Sequence, residues 1–271
     1  MSAPKPRSSQ AYWDLTAETY DQIFPETLIG CAQRDAVWRE LGSLFRPGQR
    51  ILELNCGTGI DAVYLAKNGV RILACDISPR MIEVSNQRAR ASEVSALTDF
   101  RVLPTEEIAV LAKEGPFDGA FSNFSGLNCV EDHSNVARNL AQLLKPGAHV
   151  LLCIVGRFVP WEIVWHLAHG NLAKATHRFR RSALTRFGDD VAVKVQYPSV
   201  RMMARTFAPE FNLRRWTGVG VAVPPSPLEP VARTFPGVLE VLAKLDRHIA
   251  HLPLFRNLAD CVLLHFERTW T

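Results

Sequence analysis

Ile51-Leu52-Glu53-Leu54-Asn55-Cys56-Gly57-Thr58-Gly59-Ile60 decides the fold. RILELN, at 50–55, reads as a buried strand, and the stretch that opens at Asp61 reads as a helix stopped by Gly69. Between them Gly57 and Gly59 let the backbone take unusual φ angles and come close to a ligand. A strand that runs through such a turn into a helix aims the helix N-terminus at whatever binds there. Asp76 ends the next strand, 70–75 (VRILAC), 19 residues beyond Gly57. In an open α/β sheet that position reaches the ribose hydroxyls of a nucleoside ligand.

Outward from this segment, strand-like and helix-like stretches alternate. Helices are predicted over 79–95, with Ser78 as N-cap and Pro79 at the first position, and over 135–144, stopped by Lys145-Pro146-Gly147. Strands are predicted over 100–103, 117–122 and 149–155. This alternation predicts βαβ units and a parallel sheet covered on both faces. After Gly156 the rhythm changes. An amphipathic, aromatic stretch over 160–174 is followed by a strand over 191–197 and a helix over 200–207. A strand over 213–223, a helix over 235–251 and a last strand over 261–267 complete the chain. The expected organisation is a tail at 1–10 and a single domain over 11–271. Within it lie a helical cap at 11–48, a core at 49–156, an inserted substrate-facing segment at 157–200, and sheet completion at 201–271.

The 271 residues are 47% apolar and 21% charged, which excludes a disordered or collagen-like chain. The longest apolar run, which ends at Gly156, is too short to span a bilayer, and the first ten residues carry no secretory core. Six cysteines without CxxC spacing read as reduced, packed thiols, and the location expected is cytoplasmic. Residues 1–135 hold 13 Lys+Arg against 18 Asp+Glu (net −5), whereas 136–271 hold 18 against 9 (net +9). The second part therefore suits an anionic group on a partner as well as ordinary surface charge. No aromatic-basic module for nucleic acid is present.

Two nucleotide readings compete at the glycine loop. Gly57-Thr58-Gly59-Ile60-Asp61-Ala62 matches the GxGxxA form of a dinucleotide fingerprint. Against it, Glu53 puts a carboxylate inside the first strand, where a dinucleotide site keeps an apolar residue. A carboxylate there makes better sense orienting the loop or reaching an ammonium group.

ELNCGTG at 53–59, CDIS at 75–78, FDGAFSNF at 117–124 and LLKPGAHVLL at 143–152, in that order and spacing, resemble the motifs of class I S-adenosylmethionine (SAM) dependent methyltransferases. The likeness is to the small-molecule, ubiquinone-methyltransferase-like branch and covers about 100 residues. Tyr12-Trp13 and Tyr20-Asp21 also look like the helical lead-in of that branch. The one departure is Asn55, where the family has Gly; Asn tolerates left-handed backbone. The resemblance implies a Rossmann-like α/β fold: a seven-stranded, mostly parallel sheet with the last strand antiparallel, helices on both faces, and a lid-like insertion after the fifth strand. It implies methyl transfer from SAM, leaving S-adenosylhomocysteine, to an O, N or C atom of a small, partly apolar and possibly anionic molecule. It places Glu53, Asn55, Gly57, Thr58 and Gly59 around the methionine part of SAM, Asp76 on the ribose and Ile77 on the adenine face. Thr105 and Glu106 follow the third strand at the adenine edge. Ser122, Asn123 and Phe124 lie beside the methionine and the departing methyl, and Tyr20 closes over the cofactor. The alternatives are a non-catalytic SAM-binding scaffold, a nicotinamide-dependent oxidoreductase, or a SAM-bound fold catalysing a rearrangement.

His133, just after the fourth-strand motif, is the candidate base for a hydroxyl acceptor; the bland reading is an exposed helix-start residue. Trp161, Trp165, Arg178, Arg181 and Trp216 are the candidate substrate residues. The stretch over 160–174 would serve as a lid, lie on a membrane surface, or pack on the protein's own core. His166, His169 and His177 lack a fourth ligand at a recognisable spacing, so no metal is expected. The expected partner is a small molecule, and the chain would act as a monomer or homodimer.

Overall fold

The computed structural model describes residues 9–187 and 191–270; most of the tail expected at 1–10 lies outside them. Among these residues nine strands form two sheets. The larger joins β1 (Arg50–Leu54), β2 (Arg71–Asp76), β3 (Thr98–Val102), β4 (Phe117–Ser122), β5 (Leu144–Val155), β8 (Phe211–Val219) and β9 (Cys261–Arg268) in the order β3-β2-β1-β4-β5-β9-β8. Pairings from β3 through β5 are parallel, and β9 runs antiparallel between β5 and β8. The remaining two, β6 (Ser182–Phe187) and β7 (Val191–Gln196), pair only with each other.

The strands form where the sequence suggests because each has two faces to bury. On β1, Leu52 and Leu54 join a core with Leu140, Phe207 and Phe266 on one side of the sheet. Ile51 joins Val37, Leu41 and Leu65 on the other. That second side is covered by helices α3 (Leu28–Leu44) and α4 (Ile60–Lys67). By the alternation of a strand, Glu53 shares it with Ile51. The order reversal between β1 and β4 opens a crevice at the strand C-termini, the place where such sheets bind ligands.

Helix starts are set by caps. Ser78 Oγ accepts from Met81 N (3.1 Å) ahead of α5 (Pro79–Ala91). Asp132 accepts from Ser134 N and Asn135 N (2.9 and 3.0 Å) and starts α6 (His133–Leu143) two residues before the expected helix. The structure departs from the sequence reading elsewhere. Lys145-Pro146-Gly147 is a helix stop that lies already within β5, because Leu144 pairs with Phe117. The amphipathic stretch is two helices, α7 (Pro160–Ala168) and α8 (Leu172–Ala175). They part at Gly170 (φ 69°), and Asn171 caps the second. The strand expected to reach residue 223 ends at Val219, because Gly220 turns (φ 74°) and the next two N–H groups donate to Asp246. Before the sheet, α1 (Ser9–Thr16) and α2 (Tyr20–Ile23) cap the crevice. Beyond it, α9 (Val200–Phe207) packs on α6, and α10 (Glu229–Thr234) and α11 (Pro236–Ile249) pack on α3.

Candidate functional site

The glycine loop takes left-handed backbone at Asn55 (φ 55°), Gly57 (φ 54°) and Gly59 (φ 73°). Asp76 ties it to β2: one oxygen accepts from Gly57 N and the other from Ser78 N, both at 2.9 Å. Burial raises the Asp76 carboxyl above its ordinary range, and these N–H groups oppose the shift. Asn55 Oδ1 accepts from Ser122 Oγ at 3.3 Å. Its side chain fits because residue 126 is glycine: a Cβ there would stand 2.3 Å from Asn55 Cβ.

A cavity opens above the loop, lined by Trp13, Tyr20, Asn55, Gly57, Asp76, Ile77, Met81, Thr105, Glu106, Phe124, Gly126, Cys129 and Val130. It thus unites eight of the residues expected to hold the cofactor. Five stand behind the wall. Thr58 Oγ1 donates to Asp21 Oδ1 (2.6 Å), and Asp21 also pairs with Arg88 on α5. Gly59 starts α4, where a Cβ would press on Ser85 at 2.8 Å. Ser122 holds Asn55, and Asn123 Nδ2 donates to Asp61 Oδ2 at 2.9 Å. Glu53 is 1% exposed, its Oε2 has no partner, and burial drives its carboxyl well above the usual range, with Asp61 adding to the shift.

Reading the sequence missed what joins these groups. Asp61, the first polar residue of α4, accepts from Arg34 (2.6 Å) and Trp38 (2.7 Å), both on α3, and from Asn123, just after β4. Arg34 in turn lies 4.8 Å over the Phe124 ring, which meets Phe24 edge-on at 5.1 Å. Tyr20 is pushed up to about 12, mainly by burial, and stays neutral.

The lining carries Asp76 and Glu106 and no Lys, Arg or His, and the Gly57 N–H is already given to Asp76. A pyrophosphate would meet carboxylates there in place of open N–H groups. A ligand with an ammonium and a sulfonium fits instead, and the bare Glu53 oxygen is a buried acceptor of matching sign. These observations answer the dinucleotide reading in favour of SAM.

A second cavity, about 380 Å³, shares Trp13, Tyr20, Phe124 and Cys129 with the first. Ile23, Phe24, Val155, Val193 and Val195 make it apolar, and Gln33, His177, Arg178, Tyr197 and Asp260 bring polar groups. The Arg178 guanidinium pairs with Glu162 and with Asp260 (3.0 Å), so two carboxylates already neutralise it. His177 Nδ1 sits 2.6 Å from the Lys174 carbonyl and 3.6 Å from Glu162 Oε1.

Of the residues expected around a substrate, only Arg178 lines this cavity. Arg181 lines a separate basic cavity and Trp216 an apolar groove. Trp165 packs against the cluster of Ile29, Val223 and Leu228, while Trp161 lies 37% exposed. His133 begins α6 buried, not exposed, with Nε2 2.8 Å from the Leu127 carbonyl, and lines neither ligand cavity. His169 bonds Trp165 O. Among the described residues no three metal-ligating side chains converge.

Residues 51–147 match the family described as methyltransferase domain. The match makes about a third of the chain similar to methyltransferase domains. A ubiquinone biosynthesis O-methyltransferase of Xanthomonas campestris is 33% identical to it over 111 residues, which are 41% of this chain and 45% of that one. The chain thus spans less than half the length of the curated relatives it matches. The fold of the matched segment and its flanks is shared with an S-adenosylmethionine-dependent methyltransferase of Mesorhizobium loti. That likeness has TM-score 0.54 and 16% identity and covers 89% of this chain and all of that one. A second match is the geranyl diphosphate C-methyltransferase of Streptomyces coelicolor, solved with S-adenosyl-L-homocysteine, with TM-score 0.56 and 15% identity over 87% and 79% of the two chains. No helix among the described residues is long and apolar enough to cross a membrane.

Proposed function

We propose that this chain moves a methyl group from SAM to a hydroxyl oxygen of an uncharged, largely apolar small molecule. The observation that carries the reading is the junction of the two cavities: an acid-lined chamber at the glycine loop shares four residues with an apolar chamber that holds one histidine. SAM supplies the methyl on a positively charged sulfur. Glu53, Asn55 and Gly57 would hold its methionine end, Asp76 its ribose, and Ile77 with Thr105 and Glu106 its adenine. Phe124, Trp13 and Tyr20 line both chambers, and the transfer demands little of the chain beyond orientation and exclusion of solvent.

The acceptor hydroxyl must lose its proton. His177 Nδ1–H donates to the Lys174 carbonyl, which leaves Nε2 as the lone-pair nitrogen. Glu162 beside Nδ1 stabilises the imidazolium that forms when Nε2 takes the proton. His177, and not His133, therefore takes the role of base in this reading. Arg178 is occupied by Glu162 and Asp260, so the chamber attracts no anion, which narrows the acceptor to a neutral molecule.

The test is transfer of labelled methyl from SAM to a panel of apolar phenols and alcohols. His177→Asn should lower kcat by about 10²–10⁴-fold and flatten the pH profile, as removal of a general base does. The affinity for S-adenosylhomocysteine should not change. Binding of S-adenosylhomocysteine without transfer to any hydroxyl would favour the non-catalytic scaffold.

A further inference from the structure

The charge of the second half of the chain gathers at a place the methyl-transfer reading does not use. A cavity of about 460 Å³ is lined by Arg157, Arg181, Tyr197, Ser199, Arg201, Met202, Arg205 and Thr206. Four guanidinium groups and three hydroxyls face it, and among the described residues no carboxylate does. None of the four arginines has an ion-pair partner among the described residues, whereas Arg178, a few residues away, has two. Arg201 and Arg205 stand one turn apart on α9, where like charges repel. Arg157 is half-buried: one terminal nitrogen donates to the Phe179 carbonyl (2.7 Å), but its buried Nε has no partner. A half-buried, unmatched guanidinium among three others is a costly arrangement unless an anion relieves it.

An apolar groove of about 560 Å³ adjoins this cavity and shares Arg157, Ser199 and Arg201 with it. Val200, Leu213, Trp216, Phe158 and Val262 give it its surface, and again no carboxylate lines it. Trp216 is held by its Nε1 donating to Asn257 Oδ1 (3.0 Å) and by Arg256 3.6 Å over its ring. The groove lies beside α9, whose Val200, Arg201 and Ala204 line it. Tyr197 lines both the arginine cavity and the acceptor chamber, and Val155 lines both that chamber and the groove.

We propose that groove and cavity together bind a single anionic amphiphile: a phosphate or diphosphate head among Arg157, Arg181, Arg201 and Arg205, and an aliphatic chain along Val200, Leu213 and Trp216. Phosphate suits the site because each guanidinium fork matches two of its oxygens. None of these seven residues takes part in the proposed methyl transfer.

Calorimetry on the whole chain with decyl phosphate below its micelle concentration, with inorganic phosphate, with decanol and with phosphatidylglycerol vesicles tests this. Decyl phosphate should bind at least tenfold tighter than either phosphate or decanol. The double variant Arg201→Ala/Arg205→Ala should weaken it at least tenfold, and Trp216→Ala should weaken decyl phosphate but not phosphate. Unchanged thermal midpoints of the unliganded variants show that they fold. Equal affinity for phosphate and decyl phosphate, no loss in the double variant, or binding to vesicles without binding to the monomeric amphiphile would each overturn the proposal.

Discussion

Asn55 departs from the glycine-only pattern of its loop, and the structure shows what permits it. Residue 126 gave up its side chain to the asparagine: a Cβ there would stand 2.3 Å from Asn55 Cβ and 2.7 Å from Cγ. Gly126→Ala should therefore distort the loop, at a cost of about 1–3 kcal/mol in stability, and weaken S-adenosylhomocysteine binding. Asn55→Gly in the same chain should restore much of both, since the clash then has no partner. Calorimetric titration of the two single variants and the double variant reads the coupling.

Glu53 makes an opposite bargain. Its buried carboxyl is raised well above the ordinary value, so the folded chain holds its proton at pH values where the unfolded chain has released it. Its contribution to stability is then complete below the unfolded value near 4.5 and declines as pH rises through the folded value. Glu53→Gln should remove that decline and leave the chain at least as stable at pH 8. A bound ammonium favours the ionised form, so wild-type affinity for S-adenosylhomocysteine should fall as pH is lowered through the folded value, with proton release on binding inside that window. The variant should bind weakly at every pH. Denaturant melts and titrations in buffers of different ionisation enthalpy measure the two effects.

At the scale of elements, the cap over the cofactor chamber is fastened by three acids that meet hydroxyls and arginines. Asp14 takes a bond from Ser78 Oγ (2.5 Å), Glu18 pairs with Arg80 (2.7 Å), and Asp21 joins Thr58 and Arg88. The first two fastenings hold α1 and the turn after it on α5, and the third holds α2 on the glycine loop. The Asp21 carboxylate is 16% exposed against 74% for Glu18, so its ion pair is the less screened of the two. Asp21→Ala should weaken S-adenosylhomocysteine binding roughly tenfold (about 1.4 kcal/mol). It should also speed hydrogen exchange over residues 9–27 and leave exchange in the central strands unchanged. The β6–β7 pair completes the cover from the other side, since α1 packs on β7. That hairpin was only half legible: Val191–Gln196 alternates, but its partner begins beside Arg180 and Arg181 and shows no clear apolar face in sequence.

For the molecule as a whole, the two signs of charge have separate addresses. Acids of the first half line or back the cofactor chamber, and unpaired arginines of the second half gather on the sheet face covered by α9. Ligand binding stabilises only the folded chain, by about 2.7 kcal/mol at 100 times Kd. S-adenosylhomocysteine at that concentration should raise Tm by roughly 5–10 °C. NAD and NADP should leave Tm unshifted, because their pyrophosphate meets Asp76 and Glu106. A scanning calorimetry trace with each ligand decides it.

The amino-acid sequence by itself determined the strand–loop–helix at 50–67, the carboxylate at the end of β2, the cap at Ser78 and the alternation of strands and helices that makes a mostly parallel sheet. These depend on residues close together in the chain: glycines at a turn, a hydroxyl before a helix, an apolar run between breakers. Only the tertiary structure decided that Arg34, Trp38, Asp61 and Asn123 meet, that Gly126 makes room for Asn55, and that His177 stands in a chamber while His133 does not. It also decided that Arg178 spends its charge on Glu162 and Asp260 while its neighbour Arg181 joins three other arginines. A side chain's partner is set by the crossing of elements far apart in sequence. Composition and spacing therefore reveal that charges and histidines are present, but not whether another group has already neutralised them.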